Sequence, residues 1–453
     1  MGILDAAMSM VERLQPVQAC GRVAAVRGLS VLVRDLPAPV GSLVRLPRVA
    51  SAQMPAGEVG EVVGLTGDQA VVMMLGQSVG IRSGDLVVAL HTSKTVGVGA
   101  SMLGRVLNGL GDPIDGGPAL HDLFPQPIDP PPITALSRKR ITQPMVTGVR
   151  AIDLFTTLGK GQRIGLFAGP GVGKSTLLGA ITRSCEADVN VVALIGERGR
   201  EVQDFIAHSL GPAGLARTVV MVATGDESPL MRIRAAQSAC AVCEFFRARG
   251  LHVMLMMDSA TRFAHAQRQV GLTAGEPPAS KGYTPSVFSS LARLLERAGQ
   301  LGDDLGGGSI TGLYTVLVEG DDMTEPVADA ARGILDGHII LSRSLAQKGH
   351  YPAIDVLDSV SRVQGEVTDA AHRGARVQLV RSMALYREVE DLVQIGAYAK
   401  GSNPETDVAI TFHGQIDELL RQDLSKGEGF EDAKKKMLAL AMKISSTPAL
   451  GRK

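Results

Sequence analysis

The chain has 453 residues, of which 45% are hydrophobic and 20% charged; these are ordinary values for a globular protein, and the length favours two or three domains over one compact core. Lys plus Arg equals Asp plus Glu at 46 each, so bulk charge singles out neither nucleic acid nor an acidic membrane as partner. Four scattered cysteines, Cys20, Cys185, Cys240 and Cys243, argue against a disulfide framework and suit a reducing cytoplasm.

In chain order, residues 1–18 carry apolar side chains at Ile3, Leu4, Met8, Met10, Val11 and Leu14. This pattern suits a short amphipathic helix, either a docking segment for a partner or membrane surface or a simple N-terminal helix. It lacks the basic start and long apolar stretch of a signal peptide. No apolar run in the chain approaches the ~20 residues of a membrane span. Residues 19–95 are β-rich. Short Val-rich runs at Arg22–Val26, Ser30–Val33, Gly60–Val63, Ala70–Met74 and Asp85–Val88 are punctuated by Gly, Pro, Asp and Ser, which predicts a small barrel or sandwich. A Pro-rich stretch, Phe124–Pro132, should be an extended connector over a surface.

Within residues 96–370 the texture changes. Apolar runs at Arg163–Phe167, Val189–Leu194, Thr218–Ala223, His252–Met257, Leu313–Val318 and His338–Leu341 alternate with longer helical segments. Continuous apolar strands between helices predict a mostly parallel sheet covered on both faces. Met231–Arg249 reads as one helix that puts Cys240 and Cys243 on a buried face, where they are expected to pack as small hydrophobes rather than bind metal. Residues 371–453 are expected to be helical, with helices at Ala371–Val393, Gly414–Leu424 and Glu431–Ile444. The triplet Lys434–Lys436 should be a solvated helix face.

The strand Arg163–Phe167 runs into Ala168-Gly169-Pro170-Gly171-Val172-Gly173-Lys174-Ser175-Thr176, and a helix, Leu177–Arg183, follows. Strand, Gly-rich loop and helix in this order form the context of a phosphate-binding P-loop. Glycines let successive backbone N–H groups face phosphate oxygens, and the helix N-terminus adds partial positive charge. Lys174 is expected on the terminal phosphates of ATP, and Ser175 as a hydroxyl ligand of Mg²⁺. Ala168 stands where the stricter motif has its first Gly, a position that turns the chain. The metal-side carboxylate should cap a neighbouring apolar strand, and Asp258 at the end of His252–Met257 does so; an acidic residue there is costly to bury without a cation. Phosphoryl transfer also needs a group to orient water and a cation for the moving phosphoryl. In Ile195-Gly196-Glu197-Arg198-Gly199-Arg200-Glu201, which follows the strand Val189–Leu194 at the same sheet edge, Glu197 and Glu201 both qualify, and a surface ion-pair cluster is the competing reading.

These residues resemble a known family. Gly161–Phe167 leading into the phosphate loop, Ile195–Glu201, and Tyr351-Pro352-Ala353-Ile354-Asp355 continuing to Ser361-Arg362 are similar to catalytic subunits of the rotary ATP synthase superfamily. Gly275–Phe288, Asp258–Ala264 and Gly396–Ser402 resemble its type III protein-export branch, most of all the flagellar member, with the injectisome member as the alternative. Thr284, where Pro is expected, and Ala260, where a larger apolar residue is usual, depart from the pattern without touching the chemistry. The resemblance implies a RecA-like P-loop core between an N-terminal β-barrel and a C-terminal helical domain. It implies a Mg-dependent ATPase working at the interfaces of a homo-oligomeric, hexameric ring. It selects Glu197 over Glu201 as the carboxylate that polarises water, with Arg198 beside it as a positioning residue. Arg262 would sense the terminal phosphate, Tyr351 would stack on the adenine, and Arg362 would reach the neighbouring site as an arginine finger. Implied partners are export-apparatus stalk and regulator proteins, substrates and chaperones, with cytoplasmic localisation and peripheral association at the inner-membrane export gate.

Three other functions fit less well. A non-catalytic ring subunit would lack the Glu197 carboxylate. A nucleic-acid translocase would place aromatic platforms in its barrel, yet the first 100 residues hold no Phe, Tyr or Trp. An ATP synthase catalytic subunit is disfavoured by the export-type stretch Gly275–Phe288.

Overall fold

The computed structural model describes residues 19–47, 57–76, 78–91, 95–318, 320 and 322–447; the amphipathic pattern of residues 3–14 lies outside the described residues. Strands β1 (Cys20–Arg27), β2 (Ser30–Arg34), β3 (Leu43–Leu46), β4 (Glu58–Thr66), β5 (Gln69–Met74) and β6 (Leu86–His91) close into a barrel in the order β1-β2-β5-β4-β3-β6. Alternate apolar residues, among them Val31, Val33, Val44, Val62, Val72 and Val87, fill its interior. Closure leaves no sheet edge to pair with other chains. The sequence reading missed β3, because Leu43-Val44-Arg45-Leu46 is short and interrupted by a charge.

Two short pieces connect the barrel to the core. Strand β7 (Thr95–Val98) precedes β8 (Val106–Leu107) and pairs antiparallel with β9 (Phe124–Pro127). The first part of the Pro-rich stretch is extended as expected and in addition pairs as a strand, in a two-stranded ribbon that tolerates proline because few backbone N–H groups are required of it. A second ribbon joins β10 (Pro144–Met145) and β11 (Leu158–Gly159).

The core sheet comprises β12 (Arg163–Ala168), β13 (Val189–Ile195), β14 (Thr218–Ala223), β15 (His252–Asp258), β16 (Gly299–Gln300), β17 (Ser309–Leu317), β18 (Gly337–Leu341) and β19 (Ile354–Ser361), together with β8. Its order is β19-β18-β12-β17-β15-β13-β14-β8, with β16 beside β17. Neighbours are parallel except at β18/β19 and β16/β17. Successive side chains of each strand serve opposite faces. In β13, Val191 and Ala193 join one core, around the helix Pro229–Arg247; Val192 and Leu194 join the other, around the helix Lys174–Ser184. Two covered faces explain why these strands read as unbroken apolar runs. Strand β17 starts earlier than the run Leu313–Val318 suggests. Ser309 and Thr311 are small, polar and fully buried, and a hydrophobic pattern does not report them.

Helices Ala370–Gln394, Pro404–Leu420 and Phe430–Ser446 cover the second core through Leu379, Phe412, Ile416, Met437 and Leu440. The helix expected at Gly414–Leu424 is displaced. It begins at Pro404 and stops at Leu420, because Asn403 caps it by accepting from the N–H groups of Glu405 and Thr406 and Pro404 fits the first turn. The lysine triplet is not uniformly solvated either. Lys434 is tucked against Asp369 with 16% of its side chain exposed, whereas Lys435 and Lys436 are more open.

Candidate active site

Four strands, β12, β17, β15 and β13, run parallel side by side, so their C-terminal ends form one edge. The loop after β12 turns back over this edge. Gly171 and Gly173 adopt φ of 77° and 90°, a left-handed conformation that only glycine enters without strain. Gly173 opens the helix Lys174–Ser184, and no side chain caps that end. Its first-turn N–H groups are thus left to a ligand, and they favour an anion. Ser175 and Thr176 are exposed on that turn, whereas Gly169 is buried and Pro170 exposed.

Lys174 reaches across the edge. Its Nζ donates to Oδ1 of Asp258 at 2.6 Å and lies 3.4 Å from Oε1 of Glu197. The three side chains are 15%, 5% and 12% exposed. Thr315 in β17 also donates to Asp258 Oδ1, at 2.7 Å. Register explains the meeting. Asp258 is the last residue of β15 and sits opposite Leu194, so the chain leaving β13 delivers Glu197 to the same place.

The electrostatics follow from two carboxylates sharing one ammonium in a mostly buried site. Burial pushes the Glu197 carboxyl up, the Asp258 charge adds to this, Lys174 opposes it, and Glu201 raises it further; the result is about 7. Burial disfavours the Lys174 ammonium, but Asp258 and Glu197 outweigh it and hold its pKa above the ordinary value.

The structure separates the arginines by place. Arg262 lies on the first turn of the helix Ala260–Thr273, where Ser259 Oγ accepts from its backbone N–H. Its side chain passes over Gly196 so closely that a Cβ added there would sit 2.9 Å from Arg262 Cβ. Gly196, with φ of 73°, therefore makes room for Arg262 beside Glu197. Burial, with a contribution from the Arg262 charge, lowers the Arg232 pKa. Arg198 is 87% exposed and pairs with Glu201 at 3.4 Å; its charged end is not brought to the Lys174 cluster.

Tyr351 faces the phosphate loop. A Cβ on Gly173 would lie 3.5 Å from its ring. The ring is 46% exposed and lines a cavity of about 580 Å³ with Gly171, Val172, Thr176, Pro352 and Leu424. Arg362, by contrast, follows the far end of β19. Its N–H donates to Asp336 O, and Asp336 in turn holds Arg163 at the start of β12. It stands at the N-terminal edge of the sheet, away from its own phosphate loop.

Sequence reasoning missed Thr315, and also Thr261, whose Oγ1 accepts from Leu317 N–H and ties β17 to the helix bearing Arg262. The only available signal was a hydroxyl inside an apolar run, and β17's adjacency to β15 is not written in the sequence. Among the described residues, no cluster of three His, Cys, Asp or Glu could hold a metal by itself. A magnesium shared between one carboxylate, one hydroxyl and phosphate oxygens needs no such cage.

Residues 148–361 match the nucleotide-binding domain of the ATP synthase alpha/beta family, and residues 368–439 match the T3SS EscN ATPase C-terminal domain. The chain is 49% identical over 418 residues to the flagellum-specific ATP synthase of Treponema pallidum (strain Nichols), covering 92% of each. It is 50% identical over 368 residues to the SPI-2 type 3 secretion system ATPase of Salmonella typhimurium, covering 81% of this chain and 84% of that one. Among solved structures it is similar to the assembled ATPase EscN in complex with its central stalk EscO, from the type III secretion system of enteropathogenic E. coli. The TM-score is 0.85 at 39% identity, over 93% of this chain and 100% of that one.

Proposed function

The chain belongs to the ATP synthase alpha/beta family, in the branch of flagellum-specific ATP synthases and type 3 secretion ATPases, and from that premise we propose the following division of labour in its nucleotide site. The enzyme hydrolyses ATP as an oligomeric export ATPase. The observation that carries the site assignment is the convergence of Lys174, Asp258 and Glu197 beside an uncapped helix N-terminus.

The backbone of Gly169–Thr176 cradles the phosphates, and Lys174 exchanges its carboxylate partners for the terminal phosphate. Ser175 and Asp258 would hold Mg²⁺, with Thr315 fixing the Asp258 carboxylate. When bound, the metal supplies charge neutralisation at the phosphate oxygens. Glu197, poised near neutrality, takes hydrogen-bond hold of the attacking water; a carboxylate of this pKa matches the working pH of a base. Arg262, brought beside Glu197 by Gly196, contacts the terminal phosphate. Tyr351 stacks on the adenine. Arg198 and Arg362 face outward from the cluster, which suits residues acting at a subunit interface, with Arg362 entering the neighbour's site in a closed head-to-tail ring, a hexamer in our reading.

We assign the ring to the cytoplasmic face of a membrane-embedded export apparatus, joined to a stalk, regulators, substrates and chaperones and to no nucleic acid. EscN's complex with its central stalk supports the stalk, and the relatives' names support the export setting. Among the described residues no helix is long and apolar enough to cross a membrane. Flagellar export is the assignment we favour, from the overall resemblance and the match to a flagellum-specific ATP synthase over 92% of each chain. The match to the SPI-2 ATPase keeps virulence secretion as the second reading, and motility after deletion of the gene separates the two.

Glu197→Gln tests the core of the proposal. It should preserve ATP binding and assembly while hydrolysis falls roughly 10²–10⁴-fold, the size of a lost general base. Phosphate release near the wild-type rate would refute the role.

A further inference from the structure

The residue preceding Tyr351 is a buried histidine that the reaction does not use. His350 is 3% exposed, and its Nε2 lies 3.1 Å from Oδ1 of Asp417 on the helix Pro404–Leu420. Its Nδ1 is buried and has no partner among the described residues, so the contact with Asp417 is the side chain's polar anchor. The carboxylate has a second cationic neighbour, because its other oxygen lies 2.9 Å from Arg421 Nε in an ion pair.

A second tie lies just beyond the same helix. Gln422 N–H donates to the carbonyl of Tyr351 at 3.0 Å. The Gln422 side chain accepts from Arg150 N–H and donates to Gly148 O, both at 2.8 Å. The backbone carrying the Tyr351 ring is therefore held from both sides by one C-terminal segment, Asp417–Gln422. His350 also borders a cavity of about 310 Å³ next to the stacked Tyr386 and His413 rings, whose centroids are 3.5 Å apart. That space lets the loop relax once the His350–Asp417 contact is gone, whereas a close-packed wall would hold it regardless.

We propose that His350 is a positioning residue for the nucleotide base: by engaging Asp417 it fixes the loop bearing Tyr351, and through it the C-terminal helical unit sets the affinity and base selectivity of the site. The inference rests on Tyr351 as the adenine wall. A contact with a charged partner that positions such a wall acts on nucleotide binding and leaves the phosphate chemistry, at Lys174, Asp258 and Glu197, alone.

Steady-state hydrolysis of ATP and of GTP by the full-length assembled enzyme tests it. His350→Ala should raise KM for ATP roughly tenfold, the size of a coupling between side chains in contact, while kcat stays within about twofold. The preference for ATP over GTP should shrink. Asp417→Ala should do the same, and the double variant should do no more than either alone. His350→Gln, whose amide N–H can still reach Asp417, should restore KM and selectivity. Tyr351→Ala separates the levels of the argument. Should KM rise in Tyr351→Ala yet stay unchanged in His350→Ala, the inference falls alone. Should Tyr351→Ala itself leave KM and selectivity unchanged, the adenine assignment falls and takes the inference with it. Equal defects in His350→Ala and His350→Gln would reduce His350 to a packing role.

Discussion

Tyr351 and Arg362 stand at opposite ends of one strand, β19, and hence at opposite edges of the core sheet. The start of β19 pairs with Leu341 at the end of β18, next to the phosphate loop, and its last residue, Ser361, pairs with Gly337. The six residues of β12 alone separate those edges by about 20 Å at 3.3 Å per residue. No side chain spans that distance, so an Arg362 that touches nucleotide must touch a neighbour's.

Arg362→Ala and Lys174→Ala are accordingly expected to complement. Each homogeneous preparation should be nearly inactive, Arg362→Ala by roughly 10³–10⁵-fold. Mixed rings should recover activity, because some interfaces combine an intact loop with an intact finger. Specific activity of the wild type should also rise with protein concentration through assembly. Mixed assemblies that form, verified by mass, yet hydrolyse no ATP would rule out the shared site.

The Glu197 carboxyl, pushed up to about 7, predicts the pH dependence. With Glu197 proposed as the base, its ionised form is the active one, so kcat/KM, which reports the free enzyme, should fall about tenfold per pH unit below neutrality and level off above it. Glu201→Gln removes one of the charges that raise it and should shift the inflection to lower pH. A flat profile through neutrality would contradict the assignment.

The same shift has a stability consequence of defined sign. Between the ordinary value of 4.5 and about 7 the folded chain binds more protons at Glu197 than the unfolded chain does. Stability of the nucleotide-free protein should therefore decline as pH rises through that window. Thermal melts of Glu197→Gln should lose this component of the decline; an unchanged pH slope in the variant would assign it to other groups.

Gly196→Ala asks for a β-carbon at φ 73° and 2.9 Å from Arg262 Cβ. The expected cost is about 1–3 kcal/mol of stability from backbone strain, together with displacement of Arg262. A drop in kcat larger than any rise in KM would identify the second effect. A variant as stable and as active as wild type would show that this close approach has no consequence.

Thr315→Val removes the hydroxyl that donates to Asp258 at 2.7 Å while keeping shape. Leaving that acceptor short of one bond should cost about 1–3 kcal/mol and raise the magnesium concentration needed for half-maximal activity. If the magnesium titration is superimposable on wild type, Thr315 does not orient the metal-side carboxylate.

The elements with strong local patterns were legible from the sequence alone. Arg163–Phe167, Thr218–Ala223 and the long helix read from Ala371 declare themselves through unbroken apolar runs or helical periodicity. The P-loop is equally explicit, since its glycines answer a local backbone requirement. Less legible were β3, with Arg45 inside a four-residue strand, the start of β17 at Ser309, and the helix start at Pro404, where an Asn-Pro pair can mark either a turn or a cap. Thr315 was invisible for another reason: its partner, Asp258, is 57 residues away in the chain.

What the sequence determines by itself is the kind of chemistry on offer, because phosphate binding at a helix start, buried apolar strands and chargeable strand ends depend on residues adjacent in the chain. Only the tertiary structure decides which of these groups share a space. Parallel pairing of β12, β17, β15 and β13 sets Lys174, Thr315, Asp258 and Glu197 on one edge, the reversal of β19 carries Arg362 to the other, and helix Pro404–Leu420 comes to rest on His350. Strand order and register are fixed by burial summed over two cores, a quantity that no single segment of the chain encodes.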